Sequence, residues 1–321
     1  MVIGAGLSGI AAGRRCLSAG FDVVVVDKGR GVGGRMATRR IAGAVVDHGA
    51  QFFTVRTERF AAQVATWEAT GLAHVWNHGF GPAPDGYPRY AARAGMASLV
   101  KDLARPLDVR TETLAFAVRP DRSGGRRWTV VIDDGSELHA DAVVITTPVP
   151  QSLALVVTAG IELPDALATT DYDRTIALLA VLDRPPAVPA PGGVHSPGGI
   201  VSFVADNSAK GLGTVPSLTV HGAADWSLRS WDLDRDQVRC ELEAAAAPWL
   251  ATARIVESQM KRWRFATPQS IWPEPCWRAT ADDPSVAPLV LAGDAFAGPR
   301  VEGAYLSGCA AGQVVVDALS G

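Results

Sequence analysis

The chain has 321 residues, about twice the usual length of one domain, which predicts two domains or one large α/β unit. Hydrophobic residues make up 48% and charged residues 20%, a balance that excludes a disordered chain and favours extensive buried sheet. Thirty Lys and Arg against 33 Asp and Glu give a formal net charge of −3, so nucleic acid is not expected as a partner.

The cysteines and the apolar stretches bear on the cellular compartment. The four cysteines lie far apart and form no CxxC pair, so neither a disulfide framework nor a zinc site is predicted, and a reducing cytoplasm fits best. Gly, Pro or charge interrupts each apolar stretch well short of about 18 residues, so no membrane span is predicted. The apolar start lacks a preceding basic segment, and glycine spacing explains it better than a signal peptide does.

The first 26 residues predict a β-α-β unit. Residues 1–3 are predicted to form a strand, residues 10–19 a helix, and residues 21–26 a buried strand of a parallel sheet. The first strand is unusually short, so we expect further residues upstream of Met1.

The turn inside this unit has the spacing of a dinucleotide-binding loop. Gly4 would allow a tight turn, Gly6 a close approach of a pyrophosphate, and Gly9 close packing of helix on strand. Asp27 follows the second strand, where a ribose hydroxyl would donate to it, and the helix N-terminus would supply further donors. The combination predicts dinucleotide binding.

A second glycine-rich loop follows directly. Residues 28–38 read KGRGVGGRMAT, a loop that would cover the other side of the same pyrophosphate and for which a plain NAD dehydrogenase has no use. The paired arginines along the chain are most simply exposed charges. The exception is the pair Arg39 and Arg40, one of which could lie near the diphosphate.

The hydrophobic pattern changes in the middle of the chain. Residues 114–147 alternate in the manner of antiparallel strands around turn signals at 120–125 and 133–135, before a buried strand at 143–145. The Pro- and Gly-rich residues 185–199 are predicted to form a surface loop.

The next region is rich in tryptophan. Six of the nine tryptophans fall between Trp226 and Trp277, marking a region with its own packing or ligand surface. Residues 237–247 are predicted to be helical, with Pro248 as the break.

The end of the chain supplies a third polar element. Residues 289–291 predict a buried strand, and Asp294 follows it, where its carboxylate would accept hydrogen bonds from a ribityl chain. A helix is predicted from about 303 to 319. Three such elements at these separations resemble the FAD-binding fold shared by amine oxidases and aromatic hydroxylases. The predicted fold class is α/β, with an FAD-binding Rossmann-type parallel sheet, an antiparallel β meander and an inserted α+β substrate domain.

Three segments carry a closer resemblance. Residues 27–40, 47–54 and 293–308 resemble the renalase family, especially its bacterial members, and weaker similarity occurs at 95–98, 207–210, 221–227 and 262–268. The resemblance implies a noncovalent FAD oxidase with the para-hydroxybenzoate-hydroxylase-like fold. It further implies oxidation of the 2- and 6-dihydro isomers of NAD(P), with O2 as the acceptor and hydrogen peroxide as a product.

The motifs and the resemblance together suggest the cofactor contacts. The candidate FAD-binding residues are Gly4, Gly6, Gly9, Asp27, Lys28, Gly34, Arg35, Gln51, Phe52, Leu114, Asp294, Glu302 and Gly303. The helix N-terminus at Gly303 and Ala304 would stabilise negative charge on a reduced flavin, and Arg300 would either add to this or be exposed.

The candidate substrate-binding residues are His221, Trp226, Arg262 and Trp263, which would stack on or hydrogen-bond a small planar or dinucleotide-type substrate. The alternative, a core role for the tryptophans and an interior role for His221, is about as plausible. Hydride transfer from a dihydropyridine needs positioning more than acid–base chemistry, so no residue is assigned as a catalytic base. His221 and Arg262 are candidates for a catalytic role.

No metal site is predicted. His74 and His78 stand four residues apart without a third ligand nearby, and a solvated helix face explains them better.

The cofactor motifs occur at both ends of the chain, which predicts a discontinuous FAD domain. The expected domain boundaries give FAD-binding parts at 1–60, 92–150 and 276–321 and substrate-domain parts at 61–91 and 151–275.

Three other hypotheses stay open at this stage. The first is an oxidase or desaturase of an amine or a small secondary metabolite. Amine turnover is disfavoured because none of the four lysines, Lys28, Lys101, Lys210 and Lys261, lies in the C-terminal flavin motif. The second is a flavin hydroxylase reduced by ordinary NADPH, and the third is a noncatalytic FAD-binding protein.

Overall fold

A computed structural model describes residues 1–81, 84–121, 127–195, 199–279, 286–296 and 298–321. Parts of the turn predicted at 120–125, of the loop predicted at 185–199 and of the segment 293–308 lie outside these ranges.

The chain has eight α-helices within the described ranges. They are α1 Leu7–Ser18, α2 Glu58–Ala69, α3 Ala97–Ala104, α4 Val149–Thr158, α5 Asp165–Ala168, α6 Ala224–Arg229, α7 Arg235–Leu250 and α8 Val301–Ser320, with a short 3-10 helix at Gly34–Met36.

Strands occur along the whole chain, again within the described ranges. They are β1 Val2–Ile3, β2 Val24–Val26, β3 Thr38–Ile41, β4 Ala44–Asp47, β5 Ala73–Asn77, β6 Arg89–Ala92, β7 Asp108–Arg110, β8 Ala115–Pro120, β9 Trp128–Ile132, β10 Glu137–Ala140, β11 Val143–Ile145, β12 Tyr172–Leu182, β13 Gly193–His195, β14 Val201–Asp206, β15 Ser217–Gly222, β16 Ile255–Pro268, β17 Trp277–Arg278 and β18 Leu289–Leu291.

These elements form two compact units. Unit 1 consists of Met1–Gly34, Val100–Asp171 and Pro268–Gly321, and unit 2 of Arg35–Leu99 and Tyr172–Thr267.

The unit boundaries fall at other residues than the expected domain boundaries. Residues 35–60 belong to unit 2 because the β3–β4 hairpin packs its apolar side chains against β12. Residues 151–171 belong to unit 1, where the Thr158 hydroxyl at the end of α4 accepts from the backbone N–H of Val118 in β8 at 2.9 Å.

Unit 1 is built around a six-stranded sheet in the order β17-β18-β11-β1-β2-β7. The pairs from β18 to β7 are parallel, and β17 adds an antiparallel edge. Residues such as Val25, Val144 and Val290 are fully or almost fully buried, as strands covered on both faces require. The predicted α/β fold with a Rossmann-type parallel sheet is confirmed.

The first and last helices pack closely against each other through glycines. A Cβ at Gly308 would lie 2.0 Å from the carbonyl oxygen of Ser8, and one at Gly312 would lie 2.7 Å from that of Ala12. Only hydrogen fits at both positions, so the two ends of the chain are joined inside unit 1 by backbone contact.

The predicted meander is a separate three-stranded sheet in the order β10-β9-β8, with antiparallel pairs. The buried indole of Trp128 donates to the carbonyls of Ala287 and Pro288, at 3.1 and 3.2 Å, and so ties the meander to the start of β18.

Unit 2 contains a five-stranded sheet in the order β13-β14-β15-β12-β16. Its strand β12 is buried on both faces. Ile176, Leu178 and Ala180 contribute to the cluster that packs under α6 and α7, while Leu179 and Val181 pack on the β3–β4 hairpin. This alternation follows the period of two of a strand.

Tertiary packing overrides three local predictions. Helix α7 continues through Pro248 to Leu250. The Pro-rich segment 185–199 contains strand β13. His74 lies on strand β5, not on a helix, and its Nε2 is 3.0 Å from the carbonyl of Lys210. Among the described residues, no helix is both long and apolar enough to cross a membrane.

Candidate cofactor site and candidate active-site residues

The first glycine turn of unit 1 has the geometry of a phosphate-binding loop. Gly4 has a φ of +108°, and a Cβ at Gly9 would lie 1.9 Å from the Gly4 carbonyl oxygen, so both positions require glycine. A Cβ at Gly6 would meet nothing within 4 Å. Gly6 therefore leaves open space at the start of α1, where backbone donors point outward.

The carboxylate of Asp27 links this turn to the next loop. It accepts from the backbone N–H of Ala5 and of Gly29, each at 2.6 Å. The backbone of 112–113 hydrogen-bonds to the same segment and leads to Leu114, whose side chain is 39% exposed. Each carboxylate oxygen can accept a second hydrogen bond, so a role toward a ribose stays a prediction.

The second glycine loop lies against the first one. Gly33 donates to the carbonyl of Ala5 at 2.9 Å, and a Cβ at Gly34 would lie 3.2 Å from the Cα of Gly6. The exposed Lys28 lies at the start of this loop. The two loops therefore border the same open space at Gly6.

Three strand ends meet beside these loops. Thr146, after β11, donates through its hydroxyl to the carbonyls of Ile3 and Gly4 at 3.1 and 3.2 Å. Gly293, after β18, has a φ of +146° and donates to the Ser307 hydroxyl at 2.8 Å. The carboxyl ends of β1, β11 and β18 form one edge, the place where doubly wound sheets bind ligands.

The remaining candidates near this edge belong to the last segment of unit 1. Asp294 is half-buried after β18, Glu302 is buried in the first turn of α8, and Arg300 is exposed just before it. A Cβ at Gly303 would lie 2.2 Å from the carbonyl oxygen of Gly298, so the start of α8 also needs glycine. The open space, the obligatory glycines and the acid fit a dinucleotide such as FAD.

Unit 2 contains a buried ion pair that connects distant segments. Lys210 is completely buried, and its Nζ lies 3.0 Å from Asp47 Oδ2. The other carboxylate oxygen accepts from the Thr38 hydroxyl at 2.5 Å and from the Met96 backbone N–H at 2.8 Å. Burial lowers the pKa of Lys210, and the charge of Asp47 opposes that shift.

Gln51, a predicted cofactor contact, is engaged in this network. Its Oε1 accepts from Lys210 Nζ at 3.0 Å, and its Nε2 donates to the carbonyls of Asp47 and Gly49 at 2.8 and 3.0 Å. The amide therefore positions the buried ammonium group.

Two histidines lie beside the ion pair. The His48 ring stacks on Trp263, with centroids 5.2 Å apart and planes 18° apart, and the Trp263 indole donates to the His48 carbonyl at 2.7 Å. Burial, with the charges of Lys261 and Arg39 and the proximity of His221, lowers the pKa of His48 to about 3.

His221 is also held neutral. Burial and the charge of Lys210 lower its pKa to about 4, against an opposing hydrogen bond to the backbone of His48. Its Nε2 is buried without a partner in the described part of the chain, so the other ring nitrogen makes that backbone bond. A neutral ring that donates there presents Nε2 as an acceptor.

His48 adds a second atom of this kind, because its Nδ1 is buried and has no partner among the described residues. Buried polar atoms are nearly always hydrogen-bonded, so these two nitrogens are positioned to bind a ligand or an ordered water. Asp47, His48, Gln51, Lys210, His221 and Trp263 are called the polar cluster below.

An aromatic cluster forms another part of unit 2. Its members pack with ring centroids 4.8–6.4 Å apart and are Phe52, Trp76, Phe80, His195 and Phe203. A Cβ at Gly193 would lie 2.4 Å from a Phe80 ring atom, so glycine in β13 permits this packing. Lys210 Nζ lies 5.8 Å from the Trp76 ring centroid. The predicted contact Phe52 belongs to this cluster.

The structure separates the four predicted substrate residues. His221 and Trp263 are in the polar cluster, whereas Trp226 is only 5% exposed, in the core under α6 and α7. The side chain of Arg262 donates to the Leu233 carbonyl at 3.2 Å, because neighbouring residues of β16 point to opposite faces. Trp226 and Arg262 therefore lie outside the polar cluster, and a substrate contact for either residue stays a prediction.

Arg35 also has partners within unit 2. It donates to the Ala266 carbonyl at 3.3 Å, and its guanidinium lies 5.6 Å from the Tyr172 ring centroid.

Sequence reasoning missed Asp47, His48 and the buried state of Lys210, although all three occur in segments that carry the family resemblance. Among the described residues, no group of His, Cys, Asp and Glu is arranged to hold a metal ion.

The geometry of unit 1 defines a dinucleotide-binding protein of the Rossmann class. In agreement, a family model described as an NAD(P)-binding Rossmann-like domain matches residues 2–67. A second model, described as flavin containing amine oxidoreductase, matches residues 60–316, which is most of the chain. The chain belongs to the flavin containing amine oxidoreductase family and is an FAD-dependent oxidoreductase.

Individual relatives agree with this family. The chain is 32% identical over 135 residues to polyamine oxidase 1 of Oryza sativa subsp. japonica, a match that covers 39% of this chain but 26% of that protein. The fold is similar to that of putrescine oxidase with putrescine bound, with a TM-score of 0.73, 15% identity and 98% of each chain covered. It is also similar to cyclohexylamine oxidase of Brevibacterium oxydans IH-35A, with a TM-score of 0.70, 13% identity, and 100% and 99% of the chains covered.

Proposed function

We propose that the chain is a renalase-like oxidase that takes hydride from the 2- or 6-dihydro isomers of NAD(P) and yields β-NAD(P)+ and hydrogen peroxide. Bound FAD would supply the hydride acceptor at its N5 atom, and O2 would be the final acceptor of the electrons. The residues expected to hold it are those around Gly4, Gly6, Gly9 and Asp27 in unit 1.

The observation that carries the proposal is a pair of imidazole nitrogens that have no partner among the described residues. His221 Nε2 is an acceptor, which suits the N–H2 of a carboxamide, and His48 Nδ1 is a second polar contact for the same group. Trp263, already stacked on His48, supplies an aromatic surface beside them. The nicotinamide group, a planar ring that bears a carboxamide, matches these contacts.

The electrostatics of the cluster agree with this substrate. Both histidines are neutral near pH 7, and the Asp47 carboxylate is neutralised by Lys210. Such groups can orient a dihydropyridine, but they are weak bases. A dihydropyridine that gains aromaticity loses hydride from carbon without prior proton removal, so orientation suffices.

Amine oxidation is a second candidate that a specific observation favours. Lys210 lies outside the C-terminal flavin motif, but it is fully buried beside Asp47, so the polar cluster contains a lysine. The relatives named polyamine oxidase, putrescine oxidase and cyclohexylamine oxidase point the same way.

Anaerobic flavin reduction separates the two candidates. The FAD-loaded protein is mixed without oxygen with 2- and 6-dihydro-NAD(P), 4-dihydro-NADPH, putrescine and cyclohexylamine, and the oxidised flavin absorbance is followed. We expect rapid bleaching with the 2- or 6-dihydro isomers alone. Bleaching by the amines, with none by the isomers, would establish the second candidate and exclude the first.

A variant pair links the activity to the polar cluster. His221→Asn removes the Nε2 acceptor, and kcat/KM for the dihydro isomer should fall about tenfold, the effect of one hydrogen bond to a bound group. The control, His78→Asn, changes an exposed histidine and should leave kcat/KM unaltered. Equal kinetics for both variants would remove His221 from the site.

A further inference from the structure

A cavity of about 220 Å³ in unit 2 is lined by an unusual concentration of positive charge. Four of its seven lining residues are cationic, and it is called the cationic cavity below. The lining residues are Arg39, Leu179, Arg235, Gln259, Met260, Lys261 and Arg262.

No carboxylate of the described residues neutralises the arginines of this cavity. Arg39 donates to Gln259 Oε1 at 3.1 Å, and Arg262 donates to the Leu233 carbonyl at 3.2 Å, both neutral acceptors. Within the described ranges, Arg39, Arg235 and Arg262 form no ion pair, and the Nε of Arg262 is buried without a partner.

Three acidic residues of the neighbouring segments have other partners. Asp234 accepts from the backbone N–H groups of Asp236 and Gln237 at the start of α7, and Asp236 lies 3.3 Å from Arg239. Glu257 accepts from the Gln259 amide at 3.5 Å. The three arginines of the cavity are therefore available to an anionic ligand.

The cationic cavity adjoins the polar cluster. Lys261 Nζ lies 5.3 Å from the ring centroid of Trp263, which itself stacks on His48. The charges of Lys261 and Arg39 are also among the causes that lower the pKa of His48. A molecule with a planar ring at His48 and an anionic group at these arginines would span the two.

We propose that the cationic cavity binds the diphosphate of a dinucleotide substrate, whose nicotinamide ring lies at the polar cluster. This inference rests on the proposed function, because it takes the substrate to be a dihydronicotinamide nucleotide. Arginine presents planar, forked donors that match phosphate oxygens. The net charge of −3 gives no overall attraction for an anion, so binding depends on such a local group.

Kinetics with two substrates test the subsite. Dihydro-NADP and the matching dihydronicotinamide riboside, which has no phosphate, are compared in FAD-loaded wild-type protein and in Arg235→Gln. Arg235 is exposed, so this variant is expected to fold. We expect the KM for the dinucleotide to rise about tenfold at unchanged kcat, and the KM for the riboside to stay the same.

Matched variants and salt sharpen the result. Arg262→Gln should act like Arg235→Gln, whereas Arg59→Gln, an exposed arginine on α2 outside the cavity, should have no effect. Added salt should raise the dinucleotide KM more than the riboside KM. Equal changes for both substrates in Arg235→Gln would overturn the proposal.

Calorimetry with inorganic pyrophosphate makes the test independent of turnover. The Kd of pyrophosphate for Arg235→Gln should be about tenfold higher than its Kd for the FAD-loaded wild-type protein. The Kd for Arg59→Gln should equal that for the wild type. Affinity that is equal in wild type and Arg235→Gln overturns the subsite, even if the dihydro isomers reduce the flavin. If the isomers fail to reduce it but Arg235→Gln weakens pyrophosphate binding, the proposed function fails and the anion site stands.

Discussion

The cofactor loops of unit 1 are built from backbone, whereas the polar cluster of unit 2 is built from side chains. In unit 1, Gly4, Gly9 and Gly34 bring main-chain atoms together and leave space at Gly6. In unit 2, Asp47 and Lys210 come from distant segments of the chain and meet inside a network of hydrogen bonds. A backbone-built site depends on the absence of side chains, and a side-chain-built site depends on the pairing of buried charges.

This difference determines how each site should fail. A single added methyl group should destroy the loops of unit 1, because no rotamer change can move a Cβ away from a carbonyl oxygen. In the polar cluster, a change of shape is less harmful than the loss of one partner, because an unpaired buried charge is very unfavourable.

The largest expected effect is that of Gly9→Ala. Its Cβ would lie 1.9 Å from the carbonyl oxygen of Gly4, so the turn or α1 must move. We expect a loss of about 3 kcal/mol or more in the free energy of unfolding and no retained FAD. Urea unfolding and the flavin absorbance per mole of purified protein measure the two effects.

Gly6→Ala is the matched control for Gly9→Ala. Its Cβ would meet no protein atom within 4 Å, so the fold should tolerate it, while the added methyl group would occupy the space predicted for the pyrophosphate. Normal unfolding with weakened FAD binding is expected. Full FAD retention in Gly9→Ala would contradict the backbone-built cofactor site.

The next largest effect is expected for Lys210→Met. Methionine keeps the length of the side chain but leaves the buried Asp47 carboxylate without its cation. Breaking one partner of such a pair is expected to cost about 3–5 kcal/mol, measurable by urea unfolding.

The double variant Asp47→Asn with Lys210→Met separates charge from packing. It removes both charges, and the introduced carboxamide keeps an oxygen that can accept from the Met96 N–H. We expect less than half of the loss found for Lys210→Met alone. A double variant less stable than the single one would show that packing, and not charge pairing, holds this part of unit 2.

The same contrast explains what the sequence could predict. Gly4, Gly6, Gly9 and Asp27 were predictable because backbone conformations need particular residues at short, fixed spacings. The meander was predictable from its alternation and turns. The helix α7 was only partly predictable, because it continues past Pro248, where Trp249 and Leu250 pack against the core of unit 2.

The polar cluster was less predictable from the sequence, because its members come from four separate segments. His221 and Trp263 were predicted as substrate residues, but nothing local distinguishes them from Trp226, which the fold buries in the core. The pairing of Lys210 with Asp47 depends on β4 and the turn after β14 meeting in space. The resemblance to a family marked these segments without assigning roles to the residues.

The smallest expected effect is a pH dependence of stability that arises in unit 2. His48 and His221 have pKa values of about 3 and 4 when folded, below the ordinary value of 6.5, so the unfolded chain binds more protons between these limits. Stability therefore falls as the pH is lowered through this window, by up to about 1.4 kcal/mol per pH unit for each histidine. In His221→Asn, the free energy of unfolding should fall less steeply between about pH 6 and pH 5, because the contribution of one histidine to the slope is removed.

His78→Asn, at an exposed site, should leave the slope of the wild type unchanged. Urea unfolding at several pH values measures both slopes, and an unaltered slope in His221→Asn would mean that His221 is not buried as a neutral group.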